Sequence, residues 1–378
     1  MVEIKEVLTK KDVAKWAKYP LELYKDCPYY VPNFRSDEKE TFDPKKNLDL
    51  KHCDIKGYLA YKDGKLVGRI LAILNHKYNQ LNNAKTIRFS RFECINDIEV
   101  FTGLLGAVAK YGKENGMEVM HGPWGFNDTD REGMLTFGFD ERSTYATNYY
   151  YPYFAENMVK LGFEDESKWV ERRFSIKPYE RIYTVAEKLK KRQKLVDIAE
   201  TMSVKKIIKQ YGKKLFDTIN DAYGHLDGYV PYDDEMRDKI LSQFGTIVNS
   251  RYLSVLVNEK DEVAAFGVVF PSICNALIKS RGRLFPFAFI NLLKSIKNPT
   301  ELEMALIGVK KEYKNSGINS IVIARIMKNV VEDGITNIES NPMLETNFNI
   351  QQQWKFTENK IVKKRQTYKV NIKDFIKE

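Results

Sequence analysis

The residues with the clearest chemical use lie in the stretch IGVKKEYKNSGIN, residues 307 to 319. An apolar run ends there in a Lys-rich turn with one glycine, and an apolar helix begins. Gly317 is free to take positive φ and let a ligand approach the backbone. The unpaired N–H groups of the helix start, helped by the dipole, form an anion site, with Asn319 or Ser320 as the cap. An exposed helix dipole contributes only about 0.3–1 kcal/mol, so Lys310, Lys311 and Lys314 must add charge. An ordinary strand-to-helix joint would use the same glycine. A second group is aromatic and acidic: Trp124, Phe126, Tyr145, Tyr149, Tyr150, Tyr151 and Tyr153 surround Asp128, Asp130, Arg131 and Glu132. Such a mixture can hold a cationic amine by cation–π and ion-pair contacts, and it equally suits packing between domains.

Other chemistries have less support. The four cysteines form no CxxC pair and the four histidines show no ligand spacing, so no metal is expected and a reducing compartment is. His225 is an acid/base candidate by residue type alone. The formal net charge of +10 is uneven: residues 181–214 carry eleven Lys/Arg against three Asp/Glu, and residues 355–369 carry six against one. These segments read as solvated faces, or as contacts for RNA, a membrane or a phosphorylated cofactor. The N-terminus lacks an apolar signal core, and the greasiest run, LFPFAFINLL (284–293), is half of a membrane span. A cytoplasmic protein with no membrane span is expected.

The elements that must position these residues occur twice. YLAYKDGKLVGRILAIL (58–74) and YLSVLVNEKDEVAAFGVVF (252–270) read as hairpins. Each is followed by a strand (86–94; 302–309), a helix (about 99–115; about 319–333) closed by Gly116 or Gly334, a short strand, and a short helix ending in an aromatic. The strand at 303–309 is expected to alternate, with Leu302, Met304 and Leu306 on one face and Glu303, Ala305, Ile307 and Val309 on the other. Residues 179–200 read as a connector helix between a domain at 1–178 and another at 201–378.

This order, with Lys314-Asn315-Ser316-Gly317-Ile318-Asn319 at the second helix start, resembles the GNAT N-acyltransferase superfamily. Its fingerprint there is Arg/Gln-x-x-Gly-x-Gly/Ala; the central glycine matches, while Lys314 and Asn319 depart from it. MVKLGF (158–163) looks like the ending of the family's fourth helix, and HGPWGFNDTDREGMLTFGFD (121–140), YGHLDGYVPYDDEM (223–236) and GRLFPFAFINLLKSI (282–296) look like stretches of bacterial tandem-GNAT proteins. The resemblance implies an α+β chain of two tandem GNAT-like domains, each a mixed, mostly antiparallel sheet flanked by helices. It implies an acyltransferase moving an acetyl or other acyl group from CoA to a primary amine of a small molecule or peptide. The cofactor residues implied are Ile307, Val309, Lys314, Asn315, Ser316, Gly317, Ile318 and Asn319. The first half has no matching fingerprint, so one CoA site is expected. Glu303, on the strand before the turn, takes the family's general-base position, and Glu339, ending the next strand, is a second catalytic candidate. The tyrosine that serves the leaving thiolate is missing: Gln351 and Met158 stand at its positions, with Tyr368 or Tyr313 as substitutes. Trp124, Asp128, Tyr145 and Asn347 are the substrate-contact candidates, with Glu345 beside Asn347. Two other readings stand beside this one. A Fem-like aminoacyl-tRNA-dependent transferase would use the basic stretch 181–214, and a non-catalytic tandem protein would bind a ligand without turnover.

Overall fold

Residues 1–127, 130–176, 180–224, 228–284, 288–354 and 357–376 are described in the computed structural model. The first alternating run folds as the hairpin its turn demands, β2 (Cys53–Lys62) with β3 (Lys65–Asn75), and Asp63 and Gly64 both take positive φ between them. Around it lie β1 (Val2–Glu6), β4 (Thr86–Cys94), β5 (Val119–Gly122), β6 (Met134–Phe137) and β7 (Glu164–Ser175). The second half repeats the plan with β8 (Val196–Asp197), the hairpin β9 (Leu253–Val257) and β10 (Val263–Pro271), then β11 (Glu301–Val309), β12 (Asn337–Ser340), β13 (Met343–Leu344) and β14 (Asn359–Asn371). Helix Ile98–Glu114 follows β4, and helix Asn319–Glu332 follows β11. Each turns its apolar stripe onto the sheet, Phe101, Leu104, Leu105 and Val108 in one case and Val322, Ile326 and Val330 in the other. The repeated α+β order is therefore present.

The halves are not closed separately. One sheet runs β1-β2-β3-β4-β5-β14-β7-β12-β11-β10-β9-β8, with β6 on β14 and β13 on β7. The closing strand of the second half, β14, lies beside β5 of the first, where Tyr368 faces Gly122. The closing strand of the first half, β7, lies beside β12 of the second, where Phe174 faces Ile338. The two exchanged strands pair with each other along their length. The division into 1–178 and 201–378 thus follows the repeat along the chain but not the sheet. Within the stretch 179–200, Glu180–Arg192 form a helix packed along helix Asn319–Glu332, Val196–Asp197 form β8 and Ile198–Glu200 a short 3-10 turn.

Charge locks the exchange. Lys363 of β14 stands opposite Glu171 of β7, and both side chains are fully buried. Lys363 Nζ lies 3.0 Å from Glu171 and also bonds Glu339 of β12, while Arg365 pairs with Glu171 at 2.5 Å. Burial alone would raise the Glu171 carboxyl, but Arg365 and Lys363 outweigh it and hold it below the ordinary glutamate value. Of the basic run at 355–369, Lys363 and Arg365 therefore belong to an interior ion network, while Lys360, Lys364 and Lys369 stay exposed, because half of a strand's side chains point inward.

Candidate active site

β11 and β12 run parallel only from Glu301–Asn337 to Met304–Ser340. Beyond that pair they part, and Asn341 N–H still reaches the Met304 carbonyl at 3.2 Å. The opening leads into a cavity of about 470 Å³, within the range of small-molecule sites. Its walls come from both halves. Ile323, Ile326 and Met327 of helix Asn319–Glu332, Phe270 and Ile273 after the hairpin, and Leu306 make an apolar side. Asp37, Glu38, Asp130, Glu132 and Glu303 line it against the guanidinium groups of Arg91 and Arg131. Arg91 forms a bidentate pair with Asp130 at 3.1 Å and 3.1 Å, so the lining keeps an excess of acid.

β11 departs from simple alternation at this lip. Val268 faces Leu306 and Val269 faces Met304, leaving Ala305 as an extra residue. The bulge puts Ile307 and Val309 in the same core as Leu302 and Met304, and Leu306 in the core that holds Ala305. That corrects the expected faces, since one inserted residue reverses every later side chain.

Glu303 lies on the cavity wall and is 7% exposed. It accepts hydrogen bonds from the Ser272 hydroxyl (2.6 Å), the Cys274 thiol (3.1 Å) and the Tyr145 N–H (2.9 Å). Burial pushes the Cys274 thiol well up, so it stays a neutral donor. Tyr145 and Asn347 also line the cavity. Glu339 does not: on β12 its neighbours Ile338 and Ser340 face the cavity, while Glu339 turns to Lys363 and Arg173. Burial raises its carboxyl against the pull of Lys363. Trp124 is spent on packing, with its indole N–H on Glu166 at 2.9 Å and its ring 5.4 Å from Trp169. Asp128 and His225 lie outside the described residues.

The turn takes positive φ at two positions, while the N–H groups of Lys314, Ser316 and Ser320 already donate to the carbonyls of Lys311, Tyr313 and Gly317. Gly317 takes φ +80° and Asn315 φ +63°, and the nearest atom to a β-carbon at Gly317 would be Leu189 at 3.5 Å. Helix Asn319–Glu332 starts at Ile318 with no side-chain cap and no acid in its first turn. Ser320 does not cap it; its hydroxyl donates to the Gly317 carbonyl at 2.6 Å, and the Ser316 hydroxyl donates to Tyr313 at 2.6 Å. The equivalent helix of the first half is closed by Asp97, which accepts from Glu99 N–H at 3.0 Å, with Glu99 in the first turn. A phosphate there would meet two carboxylates. At the second turn Ile318 is wholly buried and offers only backbone, and Lys310 is already shared between Glu262 and Glu312. Ile307 is engaged as well: the Tyr223 hydroxyl donates to its carbonyl at 2.9 Å and accepts from its N–H at 3.4 Å.

Sequence reasoning missed Tyr223, Tyr229 and Trp169, all on the cavity wall. Tyr223 and Tyr229 lie in the stretch 223–236 that resembles tandem-GNAT proteins, but nothing in its spacing points to the cavity, and Trp169 carries no signal of its own. The proposed substitutes fall elsewhere: Tyr368 is 1% exposed in the core of the first half, and Tyr313 accepts from Asn258 at 3.0 Å. Among the described residues no group of three His, Cys, Asp or Glu could hold a metal ion, and no helix is long and apolar enough to cross a membrane.

The comparison with solved structures decides the architecture. A tandem GNAT protein from the clavulanic acid biosynthesis pathway superposes with a TM-score of 0.56 over 98% of this chain and 99% of that one, at 10% identity. The chain has the tandem GNAT fold. No family model matches it. Among curated proteins the chain is 26% identical over 365 residues to Protein YghO of Escherichia coli (strain K12), covering 91% of this chain and 89% of that protein. It is 23% identical over 316 residues to a bacterial ceramide synthase of Caulobacter vibrioides (strain NA1000 / CB15N), covering 82% and 81%.

Proposed function

We propose that the chain transfers an acyl group from a CoA thioester to a primary amine in the cavity where β11 and β12 part. The observation that carries this reading is Glu303, a buried carboxylate with three donors, on the wall of a cavity that opens where those strands separate. The backbone from Lys314 to Asn319 suits the donor's phosphates, with positive φ at Asn315 and Gly317 and a helix without a side-chain cap behind them; the N–H groups of Lys314 and Ser316 would have to leave the carbonyls of Lys311 and Tyr313 to take part. The thioester supplies an activated acyl carbon. The excess of carboxylates on the cavity wall attracts an ammonium, and Glu303 takes its proton so that the amine can attack. We assign the return of a proton to the leaving sulfur to Tyr223 on the cavity wall; the step requires its hydroxyl to turn from the Ile307 carbonyl to which it donates.

The apolar side of the cavity favours acyl groups longer than acetyl. A ceramide joins a fatty acyl group to a long-chain amine, and the name of the Caulobacter relative points the same way. Each buried methylene contributes about 0.8 kcal/mol, so kcat/KM should rise about fourfold per methylene until the cavity is full. One observation favours binding without turnover: Tyr223 already occupies both backbone groups of Ile307.

Calorimetric titration of CoA, acetyl-CoA and a long-chain acyl-CoA tests the reading, with Gly317→Trp beside the native chain. Micromolar binding lost in the variant is the expected result; a side chain at φ +80° is strained, so melting is followed alongside and the variant is compared at a temperature where both chains are folded. No binding to the native chain would remove the turn as a phosphate cradle, and salt-sensitive RNA binding in its place would carry the tRNA-dependent reading.

A further inference from the structure

Between Val263 and Thr300 the chain has five Lys/Arg and no Asp or Glu. Within that segment the ten-residue helix Ala288–Lys297 lies on the surface. Its inner residues Leu292 and Ile296 pack with Ile273, Cys274 and Leu277, and Ile273 is also part of the cavity wall. Its outer residues Ile290 and Leu293 are 64% and 46% exposed. Lys294 and Lys297 on the same helix, and Lys279 and Arg283 just before it, are exposed as well.

We infer that this helix docks the chain on an anionic bilayer surface, with Ile290 and Leu293 among the acyl chains and the lysines at the headgroup phosphates. Exposed apolar residues rimmed by polar ones mark an interaction surface. A protein partner is usually met by charges of both signs, whereas a helix whose own segment carries five Lys/Arg and no acid in 38 consecutive residues suits a surface that is itself uniformly negative. Ten residues of helix span about 15 Å, half of what crossing needs, so the element lies in the interface plane. Docking sets the cavity wall against the membrane, where an amphiphilic amine or acyl donor resides. That last step rests on the acyl-transfer reading; docking itself does not.

Co-sedimentation of the full chain with phosphatidylcholine vesicles, alone and mixed with phosphatidylglycerol, tests the inference. Partitioning should be at least tenfold stronger on the mixed vesicles and fall with added salt. Ile290→Ser with Leu293→Ser should abolish it, and Lys294→Gln with Lys297→Gln should weaken it on the order of tenfold. Both variants should keep the native melting temperature and CoA affinity, which separates failure here from failure of the acyl-transfer reading. No preference for the mixed vesicles, equal binding by either variant, or a concentration-dependent dimer that the serine variant dissolves would overturn it.

Discussion

Glu303 takes one hydrogen bond from the first half, at Tyr145, and two from the second, at Ser272 and Cys274. A proton acceptor and a clasp between halves would both use this geometry, and the two roles part on substitution. Glu303→Gln keeps the shape and one acceptor oxygen. As a base it should lower kcat about 10²–10⁴-fold with CoA affinity unchanged; as a clasp it should lower the melting temperature and leave kcat intact. At this scale the sequence was informative about a backbone conformation or one residue's place in a strand. The positive φ of Gly317 and the position of Glu303 on β11 were legible in that way. Tyr223 was not, because its helix, Val204–Tyr223, reaches β11 only through long-range packing. Glu339 was misleading: its position at the end of a strand is right, but its partners Lys363 and Arg173 come from the exchanged strands.

Strands and helices were easier to place than their faces. The hairpins, β4 and β11, and the helices after them stand where spacing predicts, since local turn and capping chemistry sets them. The bulge at Ala305 has no such signal and reverses the faces beyond it. The pairing of β7 with β14 is fixed by Glu171, Lys363 and Arg365, because a slip of one residue would bury these charges without partners. Lys363→Met should therefore destabilise the fold by about 3–5 kcal/mol, measured by urea unfolding. The same network makes stability pH-dependent with a definite sign. The Glu171 carboxyl is held below its ordinary value of 4.5 in the folded chain. Its contribution is complete above that value and is lost as pH falls through the folded one. Glu171→Gln should flatten the acid limb of the melting curve, with little further change of slope above pH 5.

At the scale of the molecule, duplication was legible and exchange was not. Both closing strands end a half in the same order of elements, and nothing local tells β14 that its neighbour is β5 and not β12. The consequence for dissection is direct. Fragments 1–178 and 179–378 each lack the strand that completes their part of the sheet, and each exposes an unpaired edge. Expressed alone, each should aggregate or lack a cooperative transition by circular dichroism; expressed together, they should co-purify as one species with native melting. Separate folding of either fragment would contradict the role given to the exchange. Exchange also orders events on the ribosome. The slot beside Gly122 waits for Tyr368, on the order of 250 residues later, which at about 5–20 residues per second is roughly 10–50 s of synthesis. Throughout that interval the nascent first half carries an open sheet edge, so it should be a client of chaperones that hold unfinished chains, released when the last strand arrives.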